Sequence, residues 1–320
     1  QRLASAPEML KAYSLFAAVL RQRETGGRDD EMLADAAIEH MVATNPEAAE
    51  AFLIRGDYLQ DYNQAGTAVE RTARFTLAQE SMRTALVFDQ ENVDVLIGNA
   101  NLAAAEDDYE AAHEYLRKAQ EIAPDDPRVY IDRATISRLE RDTDASIGHL
   151  QAGLEVLPDN LEIALEMLEA RLIAKQPEQA RAVVEQMRKK RFRAEQVELA
   201  EAKLMMLDEK WLAASEKLEA LRPLIALVSD EGTTETDSLL ARCYELLGQP
   251  DRQLEIYNRL LSINSRAPDA LAGKAAALMS VGQVEEAYDI YRLLRHQVGR
   301  RRFELNGRLR DDYMQLLRIL

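Results

Sequence analysis

Apolar residues recur along this chain at the spacing of one helix face. The segment EAAHEYLRKAQEIAPDD, residues 110–126, shows the spacing clearly. Its apolar positions Ala112, Leu116 and Ala119 are separated by four and three residues, which places them on one side of an α-helix. Pro124 then ends the helix, because proline cannot continue its hydrogen bonding. The order small, large, small lets a second helix approach closely at the alanines, so the pattern predicts packed helix pairs.

The same pattern returns after 34 residues. In DASIGHLQAGLEVLPDN, residues 144–160, Leu150 takes the place of Leu116 and Pro158 the place of Pro124. The register continues downstream with one departure of five residues, which we assign to a loop insertion at Ser229–Thr233. Twelve residues before Ala112 and each of its equivalents lies a further small residue in most units: Ala100, Ala134, Ala202, Ala241 and Ala275, with Leu168 as the exception.

The pattern therefore predicts two helices in each unit, an A helix followed by a B helix, joined by a short polar turn. Gly248 and Gly282 lie where the end of an A helix favours a left-handed residue. Pro177 and Pro250 lie where the next helix can begin.

A 34-residue helix-turn-helix unit of this kind resembles the tetratricopeptide repeat. The matching positions are a small residue at 8, Ala at 20, a large apolar residue at 24, a small residue at 27 and Pro at 32; the family's aromatic at position 4 is kept at Phe52 and Tyr130. The resemblance implies an all-α, right-handed α-solenoid of about seven to eight repeats, forming a single helical-repeat domain over 1–320. The predicted units run over 5–46, 49–92 with an insertion near 60–75, 93–126, 127–160, 161–194, 195–233, 234–267 and 268–301, followed by a C-terminal helix over 303–320.

Composition supports a helical, soluble chain. Of the 320 residues 47% are hydrophobic, Gly and Pro number only 13 and 9, and no apolar stretch reaches the roughly 20 residues that cross a bilayer. Cys243 is the single cysteine, which excludes an intramolecular disulfide. The net charge of −16 disfavours nucleic acid and anionic membranes and favours basic partners.

The family resemblance also implies a binding surface, because the A helices line the concave side of such arrays at positions 2, 5, 9 and 12. Aliphatic residues recur at position 5, and acidic residues outnumber basic ones in the first half. We therefore expect a protein or peptide partner with apolar and basic groups, while the alternative for any one residue is packing between A helices or simple solvation. The predicted groove residues are Leu53, Asp57, Asp94, Ile97, Asn101, Arg128, Ile131, Thr135, Arg138, Glu162, Leu165, Glu169, Leu199, Lys203, Met206 and Arg242.

Catalytic motifs are absent from the sequence, so we expect no enzyme activity, cofactor or metal. The sequence HEYLR at His113 lacks the second histidine of a zinc motif, and no phosphate-loop, GxSxG or GxGxxG pattern occurs. His113 and His149 fall on B helices at nonequivalent repeat positions, so repetition builds no metal cluster. Paired aspartates such as 107/108 and 125/126 are predicted to cap helices.

A basic cluster at Arg300, Arg301 and Arg302 is a second candidate contact, for an anion or an acidic protein, with a solvated face as its alternative.

The leading interpretation is a noncatalytic scaffold that binds a protein or peptide in its groove. The alternative is a periplasmic helical-repeat module of a bacterial secretion machine, such as one for polysaccharide export. The start at Gln1 and the unterminated end LLRIL motivate it, since both suggest a piece of a longer chain. Single-stranded RNA binding is a third hypothesis, which the acidic groove disfavours.

Overall fold

The computed structural model describes residues 7–22, 28–61, 68–297 and 306–319. Throughout these ranges the regular structure is α-helical, which confirms the predicted all-α helical-repeat fold. The helices are α1 Pro7–Gln22, α2 Arg28–Thr44, α3 Ala49–Asp61, α4 Ala68–Phe88, α5 Val93–Ala105, α6 Tyr109–Ile122, α7 Pro127–Leu139, α8 Thr143–Val156, α9 Leu161–Ile173, α10 Pro177–Lys189, α11 Ala194–Leu207, α12 Trp211–Ile225, α13 Asp230–Leu246, α14 Pro250–Ile263, α15 Pro268–Ser280, α16 Val284–Gln297 and α17 Gly307–Ile319.

The helices begin at polar caps that the sequence supplies. Asp108 accepts a hydrogen bond from the Ala111 N–H at 3.1 Å, and Asp126 accepts one from the Arg128 N–H at 3.0 Å. Such caps satisfy backbone donors that have no partner inside the helix. The predicted capping role of these two aspartates is confirmed.

The turn between A and B helices has one backbone conformation in six successive repeats. Its central residue, at position 15, has a φ between 53° and 79°, and the next N–H donates to the carbonyl five residues back at 2.8 to 3.0 Å. This is the left-handed helix ending that glycine favours, as predicted for Gly248 and Gly282. The six residues are Asp107, Arg141, Lys175, Glu209, Gly248 and Gly282.

The interior is built from the repeated small and large positions. Leu116 and Ala119 are fully buried in α6, as are Leu218 and Ala214 in α12. The small residues at position 8 are buried as well: Ala100, Ala134, Ala202, Ala241 and Ala275, together with Leu168. The helix pairs thus approach where the sequence places alanine.

The contacts divide the chain into two compact units, residues 1–166 and 167–320, which we call the N-terminal and C-terminal units. In the N-terminal unit each A helix packs against its own B helix, and α1, α3, α5 and α7 also contact one another in that order. In the C-terminal unit consecutive helices from α10 to α16 pack pairwise, and α17 packs on α16. That residues 1–320 form a single helical-repeat domain remains a prediction from the sequence.

Two departures from the 34-residue period differ in their structure. Helix α4 has 21 residues and begins at Ala68, so part of the insertion near 60–75 lengthens a B helix, while residues 62–67 lie outside the described residues. The predicted loop at Ser229–Thr233 is wrong, because Ser229 caps α13 by accepting from the Gly232 N–H at 2.9 Å, and the residues after it are helical. A serine cap, Ser229, followed by the acidic residues Asp230 and Glu231 is typical of the start of a helix, so the polarity of this segment does not indicate a loop.

Within the described ranges, no helix combines the length and the hydropathy that a membrane crossing requires.

Candidate functional site

The predicted groove residues of the N-terminal unit lie on three A helices that are in contact, α3, α5 and α7, and on the start of α9. We call the carboxylates of this surface the acidic face. It consists of Asp57 and Asp61 of α3, Asp94 of α5, Asp132 of α7 and Glu162 of α9.

The cations at the predicted groove positions of this unit are already paired. Arg128 places Nη1 2.7 Å from Asp94 Oδ1 and Nη2 2.6 Å from Asp126 Oδ2. Arg138 places Nη1 2.9 Å from Glu166 Oε2, and its Nη2 donates to the Thr135 hydroxyl at 3.0 Å. These pairs cancel the positive charge of both arginines.

Four carboxylates of the acidic face have no cation partner among the described residues: Asp57, Asp61, Asp132 and Glu162. Because Arg128 and Arg138 are engaged elsewhere, the surface keeps a negative charge.

The pKa of Asp57 is raised to about 6, first by burial and then by the charges of Asp61 and Asp94. The side chain is nevertheless exposed to solvent. The pKa of Asp132 is also raised to about 6, because burial, Asp126 and Glu162 outweigh the opposing charge of Arg128.

The aliphatic positions of the same surface fall into two groups. Leu53 and Ile97 are buried, and a Cβ at Gly98 would lie 2.8 Å from Leu53 Cδ1, so Leu53 packs between α3 and α5. Ile131 and Leu165 are only half-buried, and Asn101 is exposed. Ile131 and Leu165 are therefore the aliphatic groups of this surface that stay partly accessible to solvent.

The predicted groove residues of the C-terminal unit are arranged differently. Lys203 lies between Glu169 and Glu235, 2.6 Å from the Glu235 carboxylate. Burial lowers the pKa of Lys203, but the two glutamates outweigh burial and raise it. Arg242 pairs with Glu245 at 2.8 Å. Leu199 is buried and Met206 is half-buried, so this surface is largely satisfied by its own contacts.

Two features were missed by sequence reasoning. His113 and His149 lie with ring centroids 6.0 Å apart, and His113 Nε2 is 2.8 Å from Glu140 Oε2. Their separation of 36 residues is two more than the repeat period, which brings them to neighbouring positions on α6 and α8 although they are not equivalent. Among the residues that the structure describes, no three His, Cys, Asp or Glu side chains are grouped to hold a metal ion.

The second missed feature is Asp237, whose carboxylate is fully buried in α13 between Arg222 and Arg259. Its position in the polar start of a helix gave no sign of burial. The basic cluster Arg300, Arg301 and Arg302 lies outside the described residues.

Comparison with known families finds one segment that matches a repeat family. The family model described as the tetratricopeptide repeat matches residues 99–126, which span the end of α5, its turn and α6. This segment of the chain is therefore similar to a tetratricopeptide repeat. Among curated protein sequences, none matches the chain significantly.

Solved structures share the helical-repeat fold of this chain. A tetratricopeptide repeat protein from Parabacteroides merdae is 10% identical, with a TM-score of 0.58 over 82% of this chain and 99% of that one. Yeast Tom70 is 15% identical, with a TM-score of 0.59 over 98% of this chain and 72% of that one. The APC/C hetero-tetramer Cut9–Hcn1 gives 12% identity and a TM-score of 0.57 over 96% and 63%. Tetratricopeptide-repeat proteins are in general noncatalytic scaffolds for protein interaction.

Proposed function

We propose that this protein is a noncatalytic scaffold that binds a protein or peptide segment on the acidic face of its N-terminal unit. The segment carries lysine or arginine side chains together with apolar ones. One observation carries the proposal: Arg128 and Arg138 are paired within the protein, whereas Asp57, Asp61, Asp132 and Glu162 have no cation partner among the described residues.

Charge supports a basic partner in two ways. The net charge of −16 attracts cationic segments at long range, and the acidic face concentrates that field at one surface. At short range, a lysine ammonium near Asp57 and Asp61 relieves the repulsion that raises the pKa of Asp57.

Apolar contacts supply the second part of the recognition. Ile131 and Leu165 are half-buried on neighbouring A helices. An apolar side chain of the ligand that covers them removes more hydrocarbon from water, and such central contacts carry most of the affinity in protein interfaces.

Fluorescence anisotropy with two labelled peptides of equal length tests the proposal. One peptide alternates lysine with leucine, and the other alternates glutamate with leucine. We expect the lysine peptide to bind the full chain and the glutamate peptide not to bind. The double variant Asp57→Asn/Asp132→Asn is expected to weaken binding by roughly tenfold, since each lost ion pair near a protein surface is worth up to about 1 kcal/mol.

The matched control is Asp144→Asn/Glu155→Gln, which removes the same charge from exposed positions of α8. Equal losses in the two double variants would show that binding follows net charge alone and would contradict the assignment to the acidic face. Equal binding of both peptides would contradict the predicted chemistry of the partner.

A further inference from the structure

Charge is divided unevenly between the two units of the chain. The N-terminal unit contains 15 lysines and arginines against 32 aspartates and glutamates, whereas the C-terminal unit contains 25 against 24. The net charge of −16 therefore comes from the N-terminal unit, and the C-terminal unit is nearly neutral. Because exposed charges more than about 8 Å apart are largely screened at physiological ionic strength, a local cationic surface on the C-terminal unit can attract anions.

One turn of the C-terminal unit concentrates cations. Around the turn from α10 to α11, Lys189, Arg191 and Arg193 are exposed, and none of the three has an ion-pair partner among the described residues. The preceding Arg188 is instead held by Glu201 of α11. We call Lys189, Arg191 and Arg193 the basic turn. Its charge is available to an anion from outside the chain.

The next turn at the same edge carries exposed aliphatic side chains. Short turns join α11 to α12 and α12 to α13, so α11 and α13 run in the same direction and begin at the same edge of the unit. The end of α12 and the turn before α13 expose Leu224, Leu227 and Val228 to 58%, 83% and 57%. We call these three residues the apolar tip.

The extra residues of this repeat make the apolar tip project from the edge. Helix α13 begins at Asp230, four residues before the repeat position at which α5, α7 and α15 begin. At 1.5 Å per residue, four residues lengthen the helix by about 6 Å. The apolar tip lies directly before this additional helical turn.

A membrane surface fits this combination better than a protein does. Aliphatic side chains on a projecting turn need a pocket of matching shape in a protein partner, but the interfacial layer of a bilayer is soft and receives them without such a pocket. The negative surface potential of anionic lipids attracts the neighbouring cations.

We propose that the basic turn and the apolar tip together dock the chain peripherally on an anionic lipid membrane. The cations contact lipid phosphates, while the apolar tip enters the boundary between headgroups and acyl chains. Either signal alone gives weak, reversible binding, and the two together give stable attachment. This surface belongs to the C-terminal unit, so its role is independent of the ligand proposed for the acidic face.

Co-sedimentation of the full chain with lipid vesicles tests the proposal. We expect wild type to bind phosphatidylcholine vesicles that contain about 30% phosphatidylserine, and not vesicles of phosphatidylcholine alone. Raising the salt concentration should weaken binding. The variants Lys189→Gln/Arg191→Gln/Arg193→Gln and Leu227→Ser/Val228→Ser should each weaken it at least about tenfold. All five side chains are exposed, so folding is retained, and far-ultraviolet circular dichroism checks it.

Matched controls come from the same unit. Lys175→Gln/Lys210→Gln/Arg292→Gln removes the same charge from exposed positions outside the edge. Ile173→Ser/Leu246→Ser removes exposed aliphatic groups at the opposite ends of two A helices. Both controls should bind vesicles nearly as wild type does.

Two carboxylates beside the apolar tip provide a test of opposite sign. Asp230 and Glu231 are exposed in the first turn of α13. Anionic lipids repel them, so we expect Asp230→Asn/Glu231→Gln to bind the phosphatidylserine vesicles about three- to tenfold more tightly.

Three results would overturn the proposal. The first is a wild-type chain that binds neither kind of vesicle, or both equally. The second is an equal loss of binding in the basic-turn variant and its charge control, which would show that net charge alone matters. The third is weaker binding by Asp230→Asn/Glu231→Gln.

Discussion

The guanidinium of Arg222 holds the buried carboxylate of Asp237 through two hydrogen bonds, Nε to Oδ1 at 2.6 Å and Nη2 to Oδ2 at 2.9 Å. Arg259 donates a third, from Nη2 to Oδ1 at 2.9 Å. Asp237 stands at position 4 of its repeat, where the family pattern has an aromatic residue. In this repeat an ionic contact therefore joins α12, α13 and α14.

Replacing Asp237 by alanine is expected to destabilise the C-terminal unit by about 3 kcal/mol. The change leaves two partly buried guanidiniums facing each other without their counter-ion, and removal of one partner from a buried ion pair costs on that order. Urea unfolding followed by circular dichroism measures the loss. Asp230→Ala, in the exposed first turn of the same helix, is the control, and equal losses in the two variants would contradict the role given to Asp237.

The left-handed turn residues predict opposite effects of glycine and alanine. Arg141 has a φ of 65°, where a side chain is strained, while Gly248 holds the equivalent place with a φ of 64°. We expect Arg141→Gly to stabilise by about 0.5 kcal/mol and Gly248→Ala to destabilise by about 1 kcal/mol. Thermal unfolding checks both, and a stabilising Gly248→Ala would show that the turn tolerates a Cβ without strain.

Ser146 occupies the buried alanine position of the B helix without a partner for its hydroxyl. Its Oγ makes no hydrogen bond, and the equivalent residues in four other repeats are Ala112, Ala180, Ala214 and Ala287. We expect Ser146→Ala to stabilise the protein by about 1 kcal/mol, because it removes an unsatisfied buried polar group.

Ser215 provides the matched control for Ser146. It is equally buried, but its hydroxyl donates to the Leu212 carbonyl at 2.9 Å. Urea unfolding should therefore show no increase in the free energy of unfolding for Ser215→Ala. A similar increase in both variants would mean that burial of the hydroxyl, and not its missing hydrogen bond, determines the effect.

The sequence was sufficient to predict the helix pairs and their register, because packing demands a small residue wherever two helices meet. Leu116 and Ala119 recur at fixed spacing for that reason, and both are buried. The loop at Ser229 was wrong, since a polar run that starts with a cap extends a helix as readily as it interrupts one.

The charges of the candidate site were harder to predict. Arg128 and Arg138 occupy groove positions in the repeat pattern, but which carboxylates neutralise them depends on side-chain conformations that no repeat position specifies. Burial of Asp237 was missed for a related reason, since its arginine partners come from different helices.

His149 is expected to make the N-terminal unit sensitive to acid. Burial, then the neighbouring charges of Arg133 and His113, lowers the pKa of His149 to about 4, against the attraction of Asp142 and Glu140. The unfolded chain binds a proton near pH 6.5, so stability is lost as the pH falls from about 6.5 towards 4.

His149→Gln removes that titration. Between about pH 7 and pH 4.5, we expect the free energy of unfolding of wild type to fall by on the order of 1–2 kcal/mol more than that of the variant, as measured by urea unfolding at each pH. The control is His296→Gln, at an exposed histidine of the C-terminal unit. An identical pH profile for wild type and His149→Gln would contradict the assignment.

Binding of a basic peptide to the acidic face is expected to depend on pH through Asp57 and Asp132. Both carboxylates have a pKa raised to about 6, so below that pH these two members of the acidic face are mostly protonated and neutral. A bound ammonium group favours the ionised carboxylate and lowers its pKa, which means that binding releases protons near pH 6. Affinity therefore rises as the pH increases through about 6 and levels off above it, where both groups are ionised without help from the ligand.

Anisotropy titrations with the lysine-leucine peptide measure this dependence directly. We expect binding to be roughly three- to tenfold weaker at about pH 5 than at about pH 7.5 for wild type, since two partly linked protonations are involved. Asp57→Asn/Asp132→Asn should bind weakly with almost no dependence on pH. The double variant Asp144→Asn/Glu155→Gln should keep the wild-type profile, because its exposed carboxylates lie on a B helix away from the acidic face. If the affinity of Asp57→Asn/Asp132→Asn still changed with pH as in wild type, the titrating group would lie elsewhere in the protein. The lysines of the peptide are not that group, because they stay charged throughout this pH range.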